Sequence, residues 1–420
     1  MRVGEGRDLG AEDRATLAVL VREYLLDGHL IDRAGMPHLI GAFGRDVMRD
    51  IAIDEWMGAS PVYSKRMQRT LGFEGDTVET IFKNLQLDIG APPQFMDFRF
   101  ELSDRDHGRF WLDHCGALMD VEPMGPDYVR AMCHDIEDPT FDATATASNP
   151  RAQMRPVHRP PRVPADRTPH CEWTVIIDPS HPALPVPRQA VAIGATRAAT
   201  FELDPIDPDD PGTHDYPGPL LADLRLEDWS ASALRRIAGE VCLQGHLLAL
   251  SFLAATRERV DTDDEARELL RHQFTGVAGV AATRLRDALA LGSELHDAAV
   301  VLTRSPGLLP AAYTGVRVES GDRLVVRVDR TAPAAADGAW PSLLDACHLE
   351  PLDAIVGAVD RRFRCTVMAE DDAELVVEVV RGEVEHPVPD DVRLTEFSTG
   401  ADFAFVDRGT PVVLGRKGGA

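Results

Sequence analysis

The stretch FRFELSDRDHGRFWLD, Phe98–Asp113, reads as a β-hairpin and sets the architecture. Phe95 to Leu102 alternates, as a half-buried strand should. Ser103 to Gly108 supplies a polar turn, and Arg109 to Cys115 is the returning strand. A second stretch, VRVESGDRLVVRVD (Val316–Asp329), has the same plan about Ser320-Gly321-Asp322. Further strands are expected over Cys171–Asp178, Phe363–Ala369 and Glu374–Val380, and an extended conformation over Arg155–Arg162.

Ahead of the first hairpin, residues 12–90 read as helical. Leu17, Leu20, Val21, Tyr24 and Leu25 recur at the spacing of one buried helical face. The sequence predicts a break at Gly35-Met36-Pro37, a helix start at Ser60-Pro61, punctuation at Gly72 and Gly75, and a helix over 76–87. In the second half, helices are expected over 228–260, entered at Asp228 or Ser230, over 262–292, and over Ser342–Val359. The expected fold class is therefore α+β, in two lobes, each with N-terminal helices followed by a small antiparallel sheet. The lobes are placed at 1–200 and 226–420, joined by an acidic, proline-rich linker at 201–225. The alike hairpins suggest an internal duplication. So do the cysteines 18 residues apart in each half (Cys115 and Cys133, Cys347 and Cys365). In that register His114-Cys115 lines up with Cys347-His348.

The formal charge of −25 argues against nucleic-acid and anionic-membrane partners, which would repel such a chain at long range. Lys65, Lys83 and Lys417 are the only lysines among 44 basic residues, a bias that points to a GC-rich bacterial gene. MRVGEGRDLGAEDR at the start lacks the apolar core of a signal peptide. The most apolar run, Val241 to Ala255, is broken by Gln244 and His246 and is shorter than the ~20 residues of a membrane span. A cytoplasmic location with reduced cysteines is the expectation. The sequence sets no oligomeric state.

Three of six cysteines sit beside a histidine within one short stretch, His114-Cys115, Cys133-His134 and His170-Cys171, and a fourth pair, Cys347-His348, lies far downstream. The densest chemistry is Cys133-His134-Asp135-Ile136-Glu137-Asp138. A carboxylate beside an imidazole fixes its tautomer and raises its basicity. Cys133 and His134 are thus candidate catalytic groups, with Asp135 or Glu137 orienting the ring. Cys115, Cys133, His134 and Cys171, with His158 in reach, are candidate ligands for Zn or Fe, although no sequence-local metal signature is present. Arg155, His158 and Arg159 are candidates for holding an acidic substrate group; the competing role for the arginines is to neutralise the protein's own Glu137 and Asp138. His246 and His272 read as packing or surface residues. No phosphate-binding glycine loop is present, so no nucleotide cofactor is expected.

The strings HCGAL (114–118), VEP (121–123), CHDIEDPTFDATA (133–145), NPRAQMRPVHRPPR (149–162) and PHCEWTV (169–175) resemble a family of uncharacterised bacterial proteins over about residues 50–180. The resemblance implies no activity. The order of helices then sheet is also similar in layout to vinyl-reductase-type small-molecule-binding domains and to the aminothiazoline-carboxylate hydrolase family. The functional expectation is an enzyme acting on a small organic substrate by hydrolysis or addition–elimination. The alternative is a non-catalytic module that binds a small ligand or metal for sensing or delivery.

Overall fold

A computed structural model of the chain describes residues 9–10 and 12–396. The first lobe opens with α1 (Arg14–Tyr24), α2 (Asp27–Phe43), α3 (Arg45–Leu71) and α4 (Val78–Leu85). The hairpin β1 (Met96–Leu102) and β2 (His107–Cys115) follows. Short helices α5 (Gly116–Val121) and α6 (Pro126–Arg130), a π-helical turn over Ala131–Ile136 and α7 (Glu137–Thr146) then lead to β3 (Ala152–His158) and β4 (Cys171–Ile177). The lobe closes with α8 (Arg188–Gly194) and α9 (Arg197–Thr200).

The second lobe repeats the plan. It contains α10 (Ala231–Arg257), α11 (Asp263–Ala288), α12 (Leu295–Arg304) and α13 (Ala311–Thr314), then β5 (Val316–Ser320) and β6 (Leu324–Asp329). After α14 (Pro333–Asp337) and α15 (Glu350–Val359) come β7 (Phe363–Glu370), β8 (Glu374–Arg381) and α16 (Asp390–Glu396). The α+β expectation holds. Both sheets are four-stranded and antiparallel, ordered β1-β2-β4-β3 and β5-β6-β8-β7, so each central pair joins two hairpins. Trp173, Phe110, Val326 and Val377 point inward from the four central strands onto the helices, as the period-2 pattern requires.

The helices interlock across the lobes. α10 of the second half lies along α3 of the first, and α2 of the first lies along α11 of the second. α10 is long and apolar enough to cross a membrane by composition, but 89% of its most apolar window is buried inside the protein. Two of its buried polar residues bond backbone groups of distant loops. Gln244 accepts from the Ile89 N–H at 3.1 Å and donates to Leu87 O at 2.9 Å, and His246 Nε2 lies 2.9 Å from Leu309 O.

Four sequence expectations need correction. α2 runs through Gly35-Met36-Pro37 and ends at Gly44, whose φ of 82° suits glycine. Ser60 and Pro61 lie inside α3, where buried Ser60 accepts from Thr144 Oγ1 at 2.8 Å; burial of that face outweighs the local start signal. Residues 344–349 are not helical, and α15 starts only at Glu350. The cysteine register also fails. Cys133 precedes α7 as Cys347 precedes α15, whereas Cys115 ends a strand and Cys365 lies within one. The stretch 201–225 is irregular, as expected, yet it is tied down. Tyr216 and Leu220 are buried, and Lys83 Nζ donates to the carbonyls of Tyr216 and Gly218.

The β2-to-α5 junction depends on a missing side chain. A Cβ on Gly116 would stand 2.2 Å from the fully buried Phe95 ring. Gly116→Ala is expected to destabilise the fold by about 2 kcal/mol through overpacking. An unchanged denaturant midpoint would refute this.

Candidate functional site

The first lobe does gather its thiols. Cys115 at the end of β2, Cys133 on the π-helical turn and Cys171 at the start of β4 are all buried, free, and near enough to interact electrostatically with one another and with Glu137. Cys115 Sγ also caps α5, accepting from the Leu118 N–H at 3.3 Å, and lies 3.7 Å from Met96 Sδ. Burial pushes the Cys115 thiol up to about 12, and burial followed by the Glu137 charge pushes Cys133 and Cys171 up as well. These are neutral thiols at neutral pH, and the thiolate is the reactive form. Glu137 is raised to about 8 by burial, against the pull of Arg159, and its Oε2 has no hydrogen-bond partner.

The neighbouring imidazoles and guanidinium groups are committed elsewhere. His134 Nε2 meets Pro160 O at 2.7 Å, and His158 Nε2 meets Pro169 O at 3.1 Å. His170 Nδ1 accepts the Cys115 N–H at 3.1 Å, and burial lowers that ring to about 4, so it stays neutral. Arg155 pairs with Asp142, Arg159 with Asp138, and Arg162 with Glu122 through two bonds of 2.8 and 2.7 Å. The arginines therefore neutralise the protein's own acids, although their main partners are Asp142, Asp138 and Glu122. Asp135 lies half-exposed, 3.7 Å from Arg49. One cavity, lined mainly by apolar side chains, lies between α4 and β1. Another, of about 170 Å³, lies in the second lobe beside Arg267, Asp329, Arg330 and Ser342. Neither is lined by Cys115, Cys133, His134 or Glu137.

Ligand-type side chains converge at a different place. Among the described residues, one set of three has donor atoms all within 4.8 Å of one another: His38 on α2, His272 on α11 and Asp391 on α16. Cys115, Cys133, His134 and Cys171 do not form such a set. His38 Nε2 and His272 Nδ1 each stand 3.1 Å from Asp391 Oδ1, and the two rings stack at 4.4 Å. The hydrogen bond from His272 and the close approach of His38 outweigh burial and hold the Asp391 carboxyl down at about 2, while Asp391 raises His272. The sequence reading set His272 aside and passed over His38 and Asp391, since residues so far apart leave no local spacing to read.

A second missed feature is an acid pair in the first-lobe core. Glu55 is fully buried with neither oxygen hydrogen-bonded, and Asp32, which accepts from Trp56 Nε1 at 3.3 Å, is driven up to about 7 by burial. Nearby, Asp88 accepts from Tyr63 Oη and from the Gly90 N–H, both at 2.7 Å, and burial raises it to about 6. This one was legible, because Ile51, Glu55 and Ala59 lie on one buried stripe of α3 and an acid there interrupts it.

No family model, no curated protein and no solved structure matches the chain.

Two outcomes follow from these environments. Alkylation of the native chain at pH 8 should modify exposed Cys347 at least about tenfold faster than Cys115, Cys133 or Cys171. Rapid labelling of Cys133 would contradict its burial. Stability should fall as pH rises from about 6.5 to 8. In that window the folded chain keeps protons on Asp32 and Glu137 that the unfolded chain has released, so deprotonation favours unfolding. His272, raised in the fold, adds loss of the same sign. The neutral rings of His29, His170 and His246, lowered to about 4, act in the opposite sense only between about 4 and 6.5. Glu55→Gln should raise the melting temperature and flatten the alkaline slope; an unchanged profile would argue against the acid pair as its source.

Proposed function

We propose that this protein works by binding: a two-lobed module that takes up a small ligand or a metal ion, for sensing or delivery, instead of turning a substrate over at its Cys/His cluster. The observation that carries this reading is the state of the cluster. Its thiols are buried and protonated, its His134 and His158 rings meet backbone carbonyls while His170 takes a backbone N–H, and its arginines are paired with the chain's own acids. Nucleophilic catalysis needs a thiolate with a base in reach, and a substrate-holding strap needs unpaired guanidinium groups.

The hydrolytic reading retains one supporting observation. Glu137, held protonated near neutrality beside three thiols, has the environment of a general acid. We also infer that the lobes descend from one duplicated unit. The matching strand orders and the exchanged packing of α10 on α3 and α2 on α11 support this.

Thermal melts of the untagged full chain against divalent metals, carboxylic acids and amino acids test the main reading. A bound class should raise stability by about 2.7 kcal/mol at a hundred times its Kd, equally in Cys133→Ala. Hydrolysis of ester or amide substrates that disappears in both Cys133→Ala and Glu137→Gln would overturn it.

A further inference from the structure

We infer that His38, His272 and Asp391 form a binding site for a divalent transition-metal ion of the zinc class, at the seam where α16 docks across the two lobes. The inference deepens the binding reading above by naming a ligand class, and it rests on that reading only for its purpose.

The donor set comes first. Two imidazoles and one carboxylate are borderline ligands that suit zinc and its neighbours, whereas calcium and magnesium prefer sites built of oxygen alone. The carboxylate lies 3.1 Å from a nitrogen of each ring. In the metal-free chain these are polar contacts to the carboxylate, and they already hold the donors near the ~3.3 Å edge of a tetrahedron with bonds of 2.0–2.1 Å. Three protein ligands leave a fourth position for water or a ligand, the arrangement of an open site. The side chains keep 21%, 37% and 19% of their exposure, enough for an ion to enter without unfolding the seam.

The scaffold comes second. Each donor sits on a different helix, and the packing of those helices fixes their spacing. α16 is seated on α11 over two glycines. A Cβ on Gly276 would stand 2.3 Å from Thr395 Oγ1, and one on Gly279 would stand 2.4 Å from Val392 Cγ2. The Gly276-x-x-Gly279 pair is therefore a seat for α16, and it brings Asp391 to the two rings. Glu268, 3.7 Å from His272 Nε2, adds negative charge beside the site and leaves Nδ1 for the ion. Two parallel rings cannot both aim in-plane lone pairs at one ion. Binding therefore requires one ring to turn, and His272 is the more exposed of the two. An ion held here ties α2 of the first lobe to α11 and α16 of the second.

The test uses the untagged full chain stripped with chelator, titrated with cobalt(II) for its visible spectrum and with zinc in competition against a chromophoric chelator. One equivalent per chain is expected, with His272→Ala and His38→Ala each weakening it by at least about tenfold. Asp391→Asn tests the third ligand with little change of shape. Melting of each metal-free variant close to the metal-free parent shows that folding is not the cause of any loss. Cys133→Ala should leave the metal in place. No stoichiometric uptake, uptake unchanged in both histidine variants, or loss in Cys133→Ala instead would each overturn the site. The two proposals fail separately. Zinc at the seam alongside a Cys133-dependent hydrolysis would end the binding reading and keep the site, whereas an organic ligand that stabilises a chain taking up no metal would do the reverse.

Discussion

The burial of α10 is the constraint on which the rest of the structure depends. From Glu240 to Leu253 every side chain is buried, so the helix needs apolar surface on all sides. A single lobe of this size offers one face. The protein supplies the others by laying α3 and α1 of the first half against α10, while α2 of the first half takes up α11 of the second. At about 25 cal/mol per Å² of apolar surface, such burial is the dominant favourable contribution to joining the halves. The largest polar side chains admitted to this core are paired. Glu240 meets Arg66 at 2.8 Å, and Gln244 and His246 bond backbone groups of the 87–89 and 309 loops, which also fixes where those loops lie. An unpaired polar group at any of these places would cost about 1–3 kcal/mol.

The same interlocking sets the chemistry. Burial in the first lobe removes charge from the groups that looked reactive, so three thiols and Glu137 stay neutral where the residue types alone suggested a nucleophile and its base. At the seam the effect is different. His38, His272 and Asp391 are only partly buried, stand within 3.1 Å of a shared carboxylate oxygen, and come from three helices of both halves whose packing sets their relative position. Residues rich in sequence-local chemistry are thus buried and neutral, and residues with no local signature meet.

The fold was largely legible. Alternation over Phe95–Leu102 and the run Arg323–Asp329 named strands that form at Met96–Leu102 and Leu324–Asp329, the stripe from Leu17 to Leu25 named α1, and Ser230, one of two expected entry residues, caps α10. Local signals failed where tertiary burial overrode them, at Pro37 and at Ser60-Pro61, both inside long helices whose buried faces outweigh a proline. The candidate site was legible only in part. The proximity of Cys115, Cys133 and Cys171 followed from their places at the ends of one sheet and the turn beside it, but their committed neighbours did not.

The sequence by itself determined the element types, the two-lobed α+β plan and the charge, because periodicity and composition act over a few residues at a time. Only the tertiary structure decided which ionisable groups are neutral and which donors converge. Protonation depends on burial by distant chain, and the 3.1 Å approaches of His38 and His272 to Asp391 depend on how three helices dock.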